Sequence, residues 1–201
     1  MQDMPVWKLF VITYTKELII FGICFLCIIA FQIFMLFRHR NIGITTFNKF
    51  FATKDGLTGL PNSVEFRRLV RNHLVTVSDL SADALLLIDV DNMRVFNDEN
   101  GTAEGDRKIK EVADYIKSHF RSSDIVCRYE SDMFAVYLKN ILSEKMLYKK
   151  CETFIAKNYY MPVSIGATMV NGRENFSETF QRTTEALQIS KKDGKARFTV
   201  L

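Results

Sequence analysis

RSSDIVCRYESDMFAVYL, residues 121–138, decides how the rest of the chain is arranged. Two apolar runs, Ile125 to Tyr129 and Phe134 to Leu138, flank a tight polar connection, the pattern of a β-hairpin. Its tip carries Glu130, Ser131 and Asp132 where a two-residue primed turn favours glycine or asparagine. Two acids and no glycine at a hairpin tip call for a chemical reason.

Upstream, ALLLID (84–89) is an uninterrupted apolar run closed by an acid, which predicts a central buried strand. A short irregular segment follows. Ile109, Val112, Ala113, Ile116 and Phe120 then outline an amphipathic helix. Beyond the hairpin the pattern gives a helix from Ser143 to Asn158, a strand from Val163 to Val170, a helix from Phe176 to Lys191 and a last strand from Ala196 to Leu201. Before ALLLID, the glycines and proline of DGLTGLPN (55–62) mark a turn, and Asn62 or Ser63 caps a helix carrying Phe66, Leu69, Val70, His73 and Val77. His73 reads as a helix-face residue, and His39 and His119 as surface residues. Helices alternating with strands around one hairpin define an α/β (α+β) sheet domain.

The N-terminal part differs in kind. LIIFGICFLCIIAFQIFMLF, residues 18–37, contains no charge and only Gln32 as a strongly polar side chain, and its length suits a bilayer-spanning helix. A soluble core helix rarely stays apolar on every face for so long, and a signal peptide would be shorter and end in a small-residue cleavage site. Arg38, His39 and Arg40 follow at once, whereas Lys8 and Lys16 are offset by Asp3 and Glu17, which puts the C-terminal side in the cytoplasm. Trp7 and Tyr14 suit the outer interface. The expected organisation is a short extracytoplasmic segment (1–17), too small to build a sensor core, a transmembrane helix (18–37), a linker (38–54) whose Phe47, Phe50 and Phe51 suggest a helical turn, and a cytoplasmic domain (55–201).

Residues 1–40 hold four of the 27 basic and two of the 23 acidic side chains, so 23 basic residues face 21 acidic ones in the remainder. That balance excludes a general nucleic-acid binder. Cys24 and Cys27 fall in the span, and Cys127 and Cys151 on a strand and a helix of a cytoplasmic domain, where no disulfide is expected.

Asp89 and Asp91 stand at the end of one strand and Asp132 at the hairpin tip. If hairpin and strand are neighbours, Asp89 and Asp132 converge with a backbone carbonyl, a donor set for Mg²⁺, which would neutralise phosphates. Spacing alone leaves solvated turn acids as the alternative.

DGLTGLPN, LLLIDVDNMRVFNDENGTAEGD (85–106), RSSDIVCRYESDMFAVYL, VSIGAT (163–168) and ALQISKKDGKARF (186–198) resemble, in order and spacing, the successive motifs of the GGDEF family of bacterial diguanylate cyclases. The resemblance covers about residues 50–201. It implies a palm-like fold with a central, mainly antiparallel sheet of about five strands flanked by helices. It also implies paired domains that make cyclic di-GMP from two GTP. Carried over, Asp89, the Val90 carbonyl and Asp132 would bind Mg²⁺, Asn97 and Asp106 the guanine base, and Lys191 and Lys195 the phosphates, Lys195 standing where the family prefers Arg.

The family signature Gly-Gly-Asp/Glu-Glu-Phe reads Glu130-Ser131-Asp132-Met133-Phe134 here. Glycines let backbone approach phosphates without a Cβ; Glu130 adds bulk and a negative charge. Two unit charges about 4 Å apart at an effective dielectric near 20 repel by roughly 4 kcal/mol, about a thousandfold in affinity. Left-handed tip residues other than glycine would cost roughly 1–2 kcal/mol each. Met133 removes the second acid and is no ligand for a hard metal. Thr102 and Met93 depart from the pattern as well, which prefers His and an aromatic residue. Lost or very slow cyclisation is the expectation, with Mg²⁺ relevant only where a nucleotide enters the altered site.

Arg121-Ser122-Ser123-Asp124 matches the family's R-x-x-D inhibitory site, where Arg forks onto a phosphate and the guanine edge of cyclic di-GMP and the carboxylate receives guanine N–H groups. The resulting expectation is an inner-membrane, catalytically inactive receptor for cyclic di-GMP that pairs with itself or with another GGDEF or membrane-complex protein. Residual diguanylate cyclase activity and a nucleotide-independent docking module are the alternatives.

Overall fold

The computed structural model describes residues 5, 7, 14, 15, 26–32, 35, 53–77, 79–172 and 175–201, and divides into two compact units, Met1–Phe50 and Phe51–Leu201. In the first unit, residues 26–32 and 35 are helical. The rest of the expected span 18–37, and the expected linker 38–54 apart from residues 53 and 54, fall outside the described residues; among those described, no helix is long and apolar enough to cross a membrane.

The second unit begins with α1 (Ser63–Thr76), whose N-cap Asn62 accepts from the backbone N–H groups of Val64 and Glu65. It continues through β1 (Ala84–Val90), α2 (Met93–Asn100), α3 (Thr102–His119), β2 (Ile125–Arg128), β3 (Met133–Leu138), α4 (Glu144–Lys157), β4 (Val163–Met169), α5 (Phe176–Lys192) and β5 (Phe198–Val200). The strands form one sheet in the order β2-β3-β1-β4-β5. The pairs β2/β3, β3/β1 and β1/β4 are antiparallel and β4/β5 is parallel, giving a five-stranded mixed sheet with flanking helices.

β1 lies in the middle, and all seven of its residues are buried. Strand alternation sends Ala84, Leu86, Ile88 and Val90 to one face, where α3 contributes Ile109, Val112 and Ile116 and α4 contributes Leu147 and Phe154. Leu85 and Leu87 go to the opposite face, against Phe66 and Val70 of α1 and Leu187 of α5. Both faces are covered by helices, so the strand reads as a continuous apolar run instead of an alternating one. Burying each Leu or Ile side chain contributes about 1.5–3 kcal/mol, so these residues dominate the stability of the sheet. α5 lies directly on β4: a Cβ at Gly166 would come within 2.3 Å of the Thr183 carbonyl and the Leu187 nitrogen. Any side chain there would push the helix off the sheet.

The segment expected to be irregular after ALLLID contains α2. Asn92 at φ 60 starts it and Gly101 at φ 84 separates it from α3, so the chain turns twice within ten residues. Only Met93 of α2 is buried, which leaves the helix without the apolar stripe that a sequence reading depends on. The hairpin is displaced by one residue at each side of the tip: Tyr129 leaves β2 and Met133 joins β3.

Candidate functional site

The sheet register brings the end of β1 to the hairpin tip. Asp89 lies opposite Met133 on β3 and Ser164 on β4, and the Val90 N–H donates to the Asp132 carbonyl at 3.0 Å. Asp89 and Asp132 thus occupy one edge. Burial raises the Asp89 carboxyl above the usual range, a hydrogen bond from Lys191 pulls it back, and the charges of Asp132 and Asp91 add to the rise. Asp91 is buried and structural: its carboxylate accepts from Ser164 Oγ at 2.8 Å and the Ala196 N–H at 3.0 Å.

The tip needs no glycine because none of its residues is left-handed: among the described residues with positive φ, none lies between Tyr129 and Met133. The expected strain is therefore avoided. The N–H groups of Tyr129 and Glu130 both donate to the Met133 carbonyl, at 2.7 and 3.1 Å. Arg128 holds the turn from below. Its Nε donates to the Ser131 carbonyl at 3.0 Å, its Nη2 contacts the same oxygen, and its Nη1 donates to Asp55 at 3.1 Å. Glu130 points into solvent, and Ser131 Oγ donates to Asp132 Oδ1 at 2.9 Å. Opposing burial, hydrogen bonds from Thr58 and Arg128 and the Arg128 charge hold the Asp55 carboxyl below its usual range.

Beside the tip, a cavity of about 420 Å³ is lined by Arg94, Asn97, Asp106, Arg128, Ser131 and Asp132 among others. Asn97 and Asp106, expected at the base, face it together. The Asn97 Oδ1 is buried without a hydrogen-bond partner, and Gly105 makes room for it, since a Cβ there would fall 1.7 Å away. The two lysines expected at phosphates are engaged elsewhere: Lys191 Nζ lies 2.7 Å from Asp89 Oδ1, and Lys195 Nζ donates to Asn92 Oδ1 at 2.6 Å. As these side chains stand they do not fit a resident magnesium ion. Asp89 is committed to an ammonium, Met133 offers only a thioether, and among the described residues no three His, Cys, Asp or Glu side chains converge on a metal position.

Arg121 and Asp124 close one turn. Asp124 Oδ2 accepts the Arg121 N–H at 3.0 Å, its Oδ1 accepts the Lys139 N–H at 3.3 Å, and the Asp124 N–H returns to the Arg121 carbonyl at 3.0 Å. The turn borders a second cavity of about 400 Å³ lined also by Lys117, Phe120, Ser122 and Lys139. Lys150 feels the charges of both Asp124 and Arg121; its Nζ lies 5.0 Å from the centre of the Phe120 ring, and burial is the main reason its pKa is lowered. The arrangement offers a carboxylate in a fixed position beside several cations.

Sequence reasoning missed three features. Arg128 and Asp55 are 73 positions apart, and DGLT signalled only a turn. His73, read as a helix-face residue, bonds the buried Asp83 at 2.7 Å, which also accepts from Tyr137 OH at 3.0 Å and Asn140 N–H at 2.9 Å. His119, read as a surface residue, packs its ring against Tyr115, Phe120 and Phe154, and burial, followed by the Lys150 charge, lowers its pKa to about 4.

Fold and site together define a palm-like α/β domain with a cavity of about 420 Å³ beside the end of its central strand. The family model of the diguanylate cyclase GGDEF domain matches residues 52–197. The probable diguanylate cyclase DgcE of Escherichia coli is 30% identical over 161 residues, covering 74% of this chain and 15% of that protein. Diguanylate cyclase A of Treponema denticola is 30% identical over 164 residues, covering 74% and 44%. The chain thus spans less than half the length of either relative. The coiled coil and GGDEF domain of DgcB from Caulobacter crescentus, solved in complex with c-di-GMP, superposes with a TM-score of 0.72 at 22% identity, covering 81% of this chain and 93% of that one. The chain belongs to the GGDEF diguanylate cyclase domain family.

Proposed function

We propose that this protein is a membrane-anchored, catalytically inactive GGDEF protein that reads cyclic di-GMP through Arg121 and Asp124. The carrying observation is the Asp124 carboxylate, held by the Arg121 and Lys139 N–H groups at the edge of a cavity with Lys117 and Lys139 in its wall. Each carboxylate oxygen keeps a lone pair for a guanine N–H, and the exposed Arg121 and neighbouring lysines suit two phosphates. The DgcB domain, solved with c-di-GMP, lends support at the level of the fold. At the other site, Met133 replaces an acid, Glu130 brings a negative charge to the tip, and Lys191 is spent on Asp89, which together support loss of cyclisation.

Anchoring in the bacterial inner membrane rests on the uncharged stretch 18–37. Its support is that Leu26, Ile28 and Phe31 are more than half exposed on a helical segment, which suits a lipid environment. Pairing with a second GGDEF domain is the expected assembly. Equilibrium dialysis of the full chain in detergent with labelled cyclic di-GMP tests the reading. Saturable uptake abolished by Arg121→Ala supports it; no uptake, or uptake indifferent to that change, ends it.

A second reading, residual GTP binding or cyclase activity, is favoured by Asn97 and Asp106 lining one cavity, with the buried Asn97 Oδ1 lacking a hydrogen-bond partner. Magnesium belongs to this reading, entering with the nucleotide. Product formation from GTP with Mg²⁺ or Mn²⁺ would establish it.

A further inference from the structure

The family implies a divalent ion against Asp89, and the side chains present do not fit one. We propose that the C-terminal end of α5 and the loop after it form a latch whose Lys191 ammonium is the built-in counter-ion of Asp89, keeping divalent metal away from this end of β1.

Three contacts close the latch. Lys191 Nζ meets Asp89 Oδ1 at 2.7 Å, the Ala196 N–H donates to Asp91 Oδ2 at 3.0 Å, and Lys195 Nζ donates to Asn92 Oδ1 at 2.6 Å. They engage three of the four consecutive residues 89–92. Asp91 is a rigid anchor: it is 3% exposed, and Ser164 Oγ holds its other oxygen at 2.8 Å. The loop adopts a conformation that most of its residues resist, with Gly194, Lys195 and Ala196 at φ 114, 64 and 49. Two successive non-glycine residues in the left-handed region persist only where the surroundings impose it. Here the surroundings are Asp91 and Asn92, just past the end of β1, which bond Ala196 and Lys195.

An ionised Asp89 is favoured at this position by a cation beside it. Asp89 is largely withdrawn from water, and Asp132 and Asp91 add their own negative charge. A divalent ion would need several oxygen ligands. Met133, in register opposite Asp89, supplies none. A tethered ammonium needs no third carboxylate, and because it is part of the chain its local concentration is high and always present. A metal ion would have to displace Lys191 before it could reach Asp89 and Asp132. The latch does not depend on ligand binding at Arg121 and Asp124.

Manganese titrated into the full chain in detergent and followed by electron paramagnetic resonance tests the latch. The unchanged protein and Lys191→Arg should retain no ion saturably, whereas Lys191→Met should retain about one per chain. Saturable retention by the unchanged protein, or no gain in Lys191→Met, overturns the proposal. Lysine acylation read by mass spectrometry needs no variant: Lys191 should react several-fold more slowly than Lys192, with a rate indifferent to Mn²⁺. Equal rates, or acceleration of Lys191 by Mn²⁺, would equally overturn it.

Discussion

Asp124 accepts the backbone N–H of Lys139 at 3.3 Å, and the next amide in the chain, Asn140, donates to Asp83 at 2.9 Å. Two consecutive amides therefore join the R-x-x-D turn to the trio of half-buried His73 and buried Asp83 and Tyr137. The trio spans α1, the start of β1 and the end of β3, so the Asp124 carboxylate is backed by the sheet core. A ligand that uses it meets a group already ordered, and less conformational entropy is lost on binding.

Arg121 and Asp124 should accordingly respond differently to substitution. Arg121→Ala removes an exposed side chain and should leave urea stability within about 0.5 kcal/mol, while lowering cyclic di-GMP affinity about ten- to a hundredfold. Asp124→Ala removes the acceptor of two backbone N–H groups and should cost about 1–2 kcal/mol in addition to binding. Urea melts of the two variants, beside their dialysis curves, separate these effects.

Ala196 sits at φ 49 while its N–H bonds Asp91. Ala196→Gly relieves roughly 1 kcal/mol of left-handed strain, partly offset by the entropy glycine gains in the unfolded chain. A net stabilisation of about 0.5 kcal/mol, seen as a higher urea midpoint, is the expected outcome.

His119 should make stability depend on pH. Folding lowers its pKa to about 4 from the usual 6.5, so between those values the unfolded chain takes up a proton that the folded chain refuses. Its contribution is complete above pH 6.5 and declines as pH falls toward 4. With allowance for solvent screening around a partly exposed ring, the loss is about 1–2 kcal/mol. His119→Phe preserves the contacts with Phe120 and Phe154 and should flatten the stability profile over that interval in urea titrations.

Restoring the signature tests whether the tip is the seat of the catalytic loss. Glu130→Gly, Ser131→Gly and Met133→Glu together remove the Glu130 charge and return the second acid. Cyclic di-GMP formed from GTP and Mg²⁺ by the triple variant, at a rate at least tenfold above the unchanged chain, is the expected chromatographic result.

Much of this fold was legible because its signals are local. ALLLID announced a strand with both faces covered, and Asn62, Ser143 and Asn175 occupy N-cap positions whose side chains accept backbone N–H groups. α2 escaped notice because Met93 is its only buried residue. His119 escaped because Phe154, far away in sequence, supplies part of its burial, and the Arg128–Asp55 and Tyr137–Asp83 contacts join residues 73 and 54 positions apart. The R-x-x-D pair was visible as a motif, but the role of Lys139 in fixing Asp124 depends on where β3 ends. The engagement of Lys191 with Asp89 depends on how α5 packs on β4, which no spacing in the sequence reveals.

Calorimetric titration of the full chain in detergent, first with cyclic di-GMP and then with GTP and Mg²⁺, tests most directly whether this domain reads the signal or makes it. Saturable heat from cyclic di-GMP with a dissociation constant of about 10 µM or tighter, absent in Arg121→Ala, is expected, together with no cyclic dinucleotide formed from GTP. Silence toward cyclic di-GMP, or turnover of GTP into it, would contradict the reader assignment.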